Sequence, residues 1–270
     1  MSTQTDHHPI GVFDSGLGGL TVVKEIMRFL PQESIVYFGD TARVPYGTKS
    51  KEAIIRFSQE NAGTLLKHRV KMIVIACNSS SSYALEILQN QLDVPVIGVI
   101  EPGARKAVAS TQNRRIGVIA TSATIKSQRY PEVIRHFDRR IEVFSQACPL
   151  FVPLVEEGWL KKKVVFDVAR HYLSTLKQAH VDTLILGCTH YPLLKLVLQK
   201  TMGKKVGLVD SAKEVAIEVK TVLARLGKLN DTKKKPKHKF MLNDRPQQFQ
   251  RIAREFLGFH IQIKLELSHV

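Results

Sequence analysis

Two thiols end two similar apolar runs about a hundred residues apart. Lys71-Met72-Ile73-Val74-Ile75-Ala76 leads into Cys77-Asn78-Ser79, and Val181-Asp182-Thr183-Leu184-Ile185-Leu186-Gly187 leads into Cys188-Thr189-His190. Each run reads as a short buried strand that ends in a sulfur followed by polar side chains. In open α/β sheets, ligands bind at the carboxyl ends of strands. Thiols at two such ends describe a site with a sulfur on each side. Facing sulfurs suit one kind of chemistry: one takes a proton from a carbon and the other delivers a proton to the opposite face. A cysteine pKa of about 8.5 leaves both thiol and thiolate accessible. A hydrolase built on Cys-His needs one nucleophile, one base and an oxyanion hole, and leaves the second thiol unexplained.

Other side chains are placed to assist. Asp14 follows the first apolar run and opens Asp14-Ser15-Gly16-Leu17-Gly18-Gly19-Leu20-Thr21. The glycine spacing is not the dinucleotide fingerprint. The turn reads either as an exposed acid with backbone N–H groups for a small anion, or as an Asp/Ser helix cap. Tyr37 to Gly47 is a long polar turn in which Tyr46 and the Gly47 backbone are available to a ligand, although Pro-Tyr-Gly is also ordinary punctuation. Asn78 and Ser79 to Ser82 offer donors for a carboxylate, and a helix starting there is expected to lower the Cys77 pKa. His190 is placed to tune Cys188 or to hold a carboxylate. Glu156, in Pro153-Leu154-Val155-Glu156-Glu157-Gly158, is either a proton-transfer partner of Cys188 and His190 or an acid at a surface helix start. Cys-x-His alone does not make a metal site, because no tight cluster supplies two further ligands. Cys148 has no polar neighbours and reads as a small buried hydrophobe.

Apolar runs alternating with amphipathic stretches position these residues, the pattern of parallel α/β architecture. Strands are expected at 9–13, 34–38, 72–76 and 94–98, and again at 115–120, 141–144, 183–187 and 206–209. The clearest helices are 83–92 and 212–226. The two sets echo each other: Gly11-Val12-Phe13-Asp14-Ser15 resembles Gly117-Val118-Ile119-Ala120-Thr121-Ser122. Two lobes are expected, 1–98 with 208–270 carrying Cys77, and 99–207 carrying Cys188. The turn Glu101-Pro102-Gly103 is the expected crossing, with a return near Gly203 to Val209. Segments 240–242 and 260–265 would then add strands to the first lobe.

Composition bounds the rest. The chain has 270 residues, 44% hydrophobic and 24% charged, an ordinary globular balance with enough length for a sizeable core. No apolar stretch approaches the roughly 18 residues that span a bilayer, and Met1 to Pro9 lacks a signal-peptide pattern, so a cytoplasmic protein without a membrane segment is expected. Three cysteines do not form a disulfide framework. The formal charge is +16, which favours polyanionic partners. Half of that excess falls after residue 219, with twelve basic against four acidic side chains. The densest part, Lys233 to Lys239, contains a proline and no aromatic, and reads as a solvated loop between a helix and a strand.

The motifs together resemble the cofactor-independent aspartate/glutamate racemase superfamily, and within it the glutamate racemases. They are Gly11 to Gly19, Gly39 to Gly47, Ala76-Cys77-Asn78-Ser79, Val152 to Glu156, and Gly187-Cys188-Thr189-His190-Tyr191-Pro192-Leu193-Leu194. The resemblance runs from Ile10 to about Lys220. It implies two α/β lobes, each a mostly parallel sheet flanked by helices, with the site in the cleft between them, often in a homodimer. It implies Cys77 as acid/base for the D-isomer and Cys188 for the L-isomer, aided by Asp14, Glu156 and His190. Asp14, Ser15, Tyr46, Gly47, Asn78, Ser79, Thr189 and His190 match substrate contacts. No pyridoxal phosphate or metal is implied, and the product would be D-glutamate for peptidoglycan. Some family members are thought to inhibit DNA gyrase, so nucleic-acid or gyrase binding is a second expectation, carried otherwise by the charge alone. Ser79 stands where the family usually has Thr; it keeps the hydroxyl and loses a methyl. Aspartate or another amino acid as the substrate is the alternative in the same chemistry, and a pyridoxal enzyme is a further option.

Overall fold

The computed structural model describes residues 6–232, 234–244, 249–258 and 263–265. Ten strands form two sheets among these residues. The first holds β1 (Ile10–Asp14), β2 (Ile35–Gly39), β3 (Met72–Ile75), β4 (Val96–Gly98), β9 (His238–Leu242) and β10 (Ile263–Leu265), in the order β10-β9-β2-β1-β3-β4. The second holds β5 (Arg115–Ala120), β6 (Glu142–Ala147), β7 (Thr183–Gly187) and β8 (Gly207–Val209), in the order β6-β5-β7-β8. Every pairing is parallel. Parallel strands need crossovers, and the helices supply them: α1 (Leu20–Phe29), α2 (Lys51–Leu66), α3 (Asn78–Gln91), α4 (Ile100–Ser110), α5 (Ser122–Lys126), α6 (Arg129–Phe137), α7 (Phe151–Glu156), α8 (Lys163–Gln178), α9 (Lys195–Met202), α10 (Ser211–Arg225) and α11 (Phe249–Leu257). None of the described helices is long and apolar enough to cross a membrane.

The lobes repeat each other down to register. The order β2-β1-β3-β4 in one sheet is matched by β6-β5-β7-β8 in the other. Gly11 pairs with Ile73, four residues before Cys77, and Gly117 pairs with Leu184, four residues before Cys188. Each thiol therefore leaves its sheet at the same height, on the strand next to the lobe's first. The central strands are buried on both faces, which is why they read as unbroken apolar runs.

Several expected boundaries shift, for local reasons. α3 begins at Asn78 rather than at 83 and takes in the serine run. Serine is a weak helix former, so hydrophobic spacing alone places the start too late. Two of the hydroxyls are absorbed by backbone: Ser81 Oγ donates to Ile75 O and Ser82 Oγ to Asn78 O. Glu101-Pro102-Gly103 is not a turn but the start of α4, where a proline is tolerated because the first-turn N–H groups have no helical partner. β8 pairs with β7, so the second sheet runs on to Val209, across the expected boundary at 208. The chain then returns through α10, and β9 pairs with β2. Of the expected last strand, 260–262 lie outside the described residues, and Ile263–Leu265 pairs with β9. Lys233 also lies outside them; Lys234 to Lys237 are irregular chain between α10 and β9.

Candidate active site

Cys77 and Cys188 line one cavity between the lobes, together with Ser15, Tyr46, Gly47, Asn78, Ser79, Thr189 and His190. Both sulfur residues are nearly buried, Cys77 at 5% and Cys188 at 6% exposure. The cavity holds about 20 Å³, room for about one water and less than an amino acid fills.

Cys77 is the cap residue of α3, yet its thiol is not made acidic. Burial pushes its pKa up to about 11, and the Asp14 carboxylate adds to the effect; bonds from Ser80 and Ser15 offset only part. The expected lowering by the helix end is outweighed, because desolvation and a neighbouring anion both penalise a thiolate. Asp14 ends β1 and is fully buried. It accepts from the Gly16 N–H at 3.2 Å and from Thr189 Oγ1 at 3.4 Å. α1 is capped by Gly19, so the helix-cap reading of Asp14 does not hold. Burial raises the Asp14 pKa against the pull of His190 and three backbone N–H groups.

The Cys188 side has the opposite electrostatics. Cys188 Sγ lies 3.7 Å from His190 Nδ1, and His190 Nε2 lies 3.2 Å from Glu156 Oε1. Burial disfavours the charged ring, but hydrogen bonds and charge from Cys188 and Glu156 win, and the His190 pKa stands well above its ordinary value. Glu156 is the last residue of α7, not the start of a surface helix. Its side chain keeps 29% exposure, so the array runs from a buried sulfur through a buried imidazole to a carboxylate that meets solvent.

The remaining predicted residues divide by what their polar groups already hold. Asn78 Oδ1 accepts from the Tyr130 hydroxyl at 2.7 Å, which leaves its Nδ2 donors for a ligand. The Tyr46 hydroxyl donates to Asp40 and accepts from Asn61 Nδ2 at 3.1 Å, so Tyr46 presents ring and backbone to the cavity. Ser79 Oγ meets Thr121 Oγ1 at 3.0 Å and Thr124 Oγ1 at 3.2 Å, and the two threonines are 3.1 Å apart. This buried ring of hydroxyls ties α3 to the first turn of α5. Thr121, Val44, Pro45 and Val152 also line the cavity and were not singled out from sequence. The signal for Thr121 was present: the echo of Gly11 to Ser15 in Gly117 to Ser122 puts it just past the end of β5, equivalent to Ser15.

Two glycines let the lobes approach. A Cβ on Gly18 would fall 2.2 Å from Thr189 Oγ1 and 2.8 Å from His190 Nδ1. One on Gly47 would fall 2.4 Å from Thr121 Cβ. The glycine-rich turn after β1 thus serves close packing against the other lobe. Cys148 is buried away from the cavity, and burial raises its thiol pKa. Among the described residues no group of three His, Cys, Asp or Glu is placed to hold a metal ion.

Two like parallel α/β lobes with a thiol from each in one closed cleft define a class of two-lobed protein built around a paired-cysteine site. The sequence profile of the Asp/Glu/Hydantoin racemases matches residues 10–219, and the chain belongs to that family. It is 53% identical over 249 residues to the glutamate racemase of Geobacter metallireducens, covering 92% of each chain. The crystal structure of glutamate racemase isoform RacE1 from Bacillus anthracis superposes with a TM-score of 0.93 at 42% identity, over 97% of this chain and 98% of that one. The Francisella tularensis glutamate racemase in complex with D-glutamate gives 0.91 at 42% identity, over 98% of both.

Proposed function

We propose that this chain interconverts L- and D-glutamate without a cofactor, by proton transfer between Cys77 and Cys188 across the α-carbon. The observation that carries this reading is the single cavity lined by both thiols, each from the equivalent strand end of its lobe. In the L-to-D direction the Cys188 thiolate takes the α-proton and becomes a thiol. The Cys77 thiol gives its proton to the opposite face and becomes the thiolate. The reverse direction exchanges the roles. The His190 cation stabilises the Cys188 thiolate, and Glu156 stabilises the cation. The raised pKa of Cys77 keeps it a proton donor when L-glutamate arrives, and the substrate ammonium offsets the Asp14 charge that resists its ionisation. Asn78, Ser79, Thr189 and the N-terminus of α3 supply donors to the substrate carboxylate, where charge builds as the proton leaves. Ser15, Tyr46 and Gly47 contact the rest of the substrate.

The same reading takes two lobes, the expected 1–98 with 208–270 and 99–207, adjusted so that β8 through Val209 stays with the second lobe and the return crossing follows it. It includes a homodimer in the cytoplasm that supplies D-glutamate for peptidoglycan. The test is incubation of the purified protein with L-glutamate and no added cofactor, with D-glutamate measured by chiral chromatography. Formation of D-glutamate supports the reading. No product from L-glutamate, with turnover of L-aspartate instead, reassigns the substrate.

A further inference from the structure

The family profile ends at residue 219, yet one side of His190 is closed by a residue well beyond it. Phe256 lies on α11, and its ring meets the imidazole edge to face, with centroids 6.1 Å apart and planes at 87°. Both side chains are 2% exposed. The helix is anchored without help from His190. Ile252, Ala253, Phe256 and Leu257 join the main apolar core, and α11 packs on α1. Strands β9 and β10 of the first sheet hold the chain on either side of it. A first-lobe helix therefore presses an aromatic ring onto a second-lobe imidazole.

The imidazole needs such a wall. Its nitrogens are engaged at 3.7 Å by Cys188 and at 3.2 Å by Glu156. The sulfur contact is long, and neither contact alone fixes the tilt of the ring about its Cβ–Cγ bond. Gly18 closes on the Nδ1 side, where a Cβ would fall 2.8 Å away. We propose that Phe256 is a positioning residue, holding the His190 ring in the plane that joins Cys188 to Glu156. A C-terminal helix outside the family profile thereby completes the Cys188 half of the site. This rests on the reading of Cys188 as an acid/base.

The charged and titratable groups around His190 are Cys188 after β7, Glu156 at the end of α7 and Asp14 at the end of β1. On α11, Glu255 lines a small adjoining cavity with Val155 and Leu193. The test compares Phe256→Leu, which keeps an apolar side chain, with Phe256→Tyr, which keeps the ring. Three quantities are measured: the thermal midpoint, kcat and KM for L-glutamate against pH, and the His190 titration by NMR in the ligand-free protein. The leucine variant is expected to fold and to lose about tenfold or more in kcat, with KM changed less than about threefold. Its His190 titration moves down towards the ordinary histidine value as the ring leaves its two partners, and tyrosine restores both. Wild-type turnover in Phe256→Leu overturns the proposal, and so does lost turnover with an unmoved His190 titration, which would mark a merely structural role. The titration needs no substrate, so it still decides the matter if wild-type protein fails to racemise glutamate. If the leucine variant does not fold, Phe256→Met is read by the same titration.

Discussion

Replacing His190 with Gln removes the cation beside Cys188 while keeping a hydrogen-bonding side chain. The size of the effect follows from geometry. Cys188 Sγ and His190 Nδ1 are 3.7 Å apart, and both residues are nearly buried, so solvent screens them little. At an effective dielectric constant of about 20, unit charges at that separation attract by about 4 kcal/mol. At about 1.4 kcal/mol per decade this is close to a thousandfold in rate, inside the range of about 10² to 10⁴ for general acid–base groups. The sign with pH is fixed by the raised His190 pKa. The cation is present at every pH below that raised value, neutral pH included, and is lost only as pH rises through it. His190→Gln lacks it at every pH. The deficit is therefore full at neutral pH and narrows on the alkaline side, where the wild-type ring loses its charge as well. The assay is kcat for L-glutamate from neutral to alkaline pH. Near wild-type turnover at neutral pH, or a deficit that stays constant as pH rises, refutes the reasoning.

Three further substitutions probe other parts of the site. Gly18→Ala puts a methyl against Thr189 and His190 and should hold the lobes apart, lowering kcat by about a hundredfold in a protein that still melts cooperatively; wild-type kcat would show that this contact is not part of the working state. Asp14→Asn removes the anion that helps raise the Cys77 pKa to about 11, so iodoacetamide labelling of Cys77, followed by peptide mass spectrometry, should begin at lower pH than in wild type. An unshifted onset would leave burial as the whole cause. Ser79→Ala breaks the hydroxyl ring with Thr121 and Thr124 and should cost about 1 kcal/mol in urea unfolding; an unchanged midpoint contradicts a role in tying the lobes.

The strands and the thiols at their ends were legible because a doubly covered parallel strand writes itself as an unbroken apolar run. The duplication was legible for the same reason, in Gly11 to Ser15 against Gly117 to Ser122. What the chain hid was long-range. Glu156 reaches His190 across 34 residues, and nothing in its neighbours separates it from a surface acid. Tyr46 read as a ligand contact, but nothing nearby in sequence showed that Asp40 and Asn61 take its hydroxyl. The serine run concealed the start of α3, since buried hydroxyls bonded to backbone mimic loop composition. The Cys77 pKa was misjudged in direction because a helix end is visible in sequence, whereas burial and a neighbouring carboxylate from another strand are not. Phe256 carried no signal, lying more than sixty residues from the imidazole it touches.

The central claim is that two thiols work on opposite faces of one α-carbon, and isotope partitioning tests it most directly. L-glutamate carrying ordinary hydrogen is incubated with the protein in deuterated water, and both isomers are isolated early in the reaction and examined by mass spectrometry. The account predicts one deuterium at Cα in the D-glutamate formed and none in the remaining L-glutamate, because one sulfur removes hydrogen and the other delivers solvent deuterium. D-glutamate that retains the original α-hydrogen would mean a single base serving both faces, and would contradict the account.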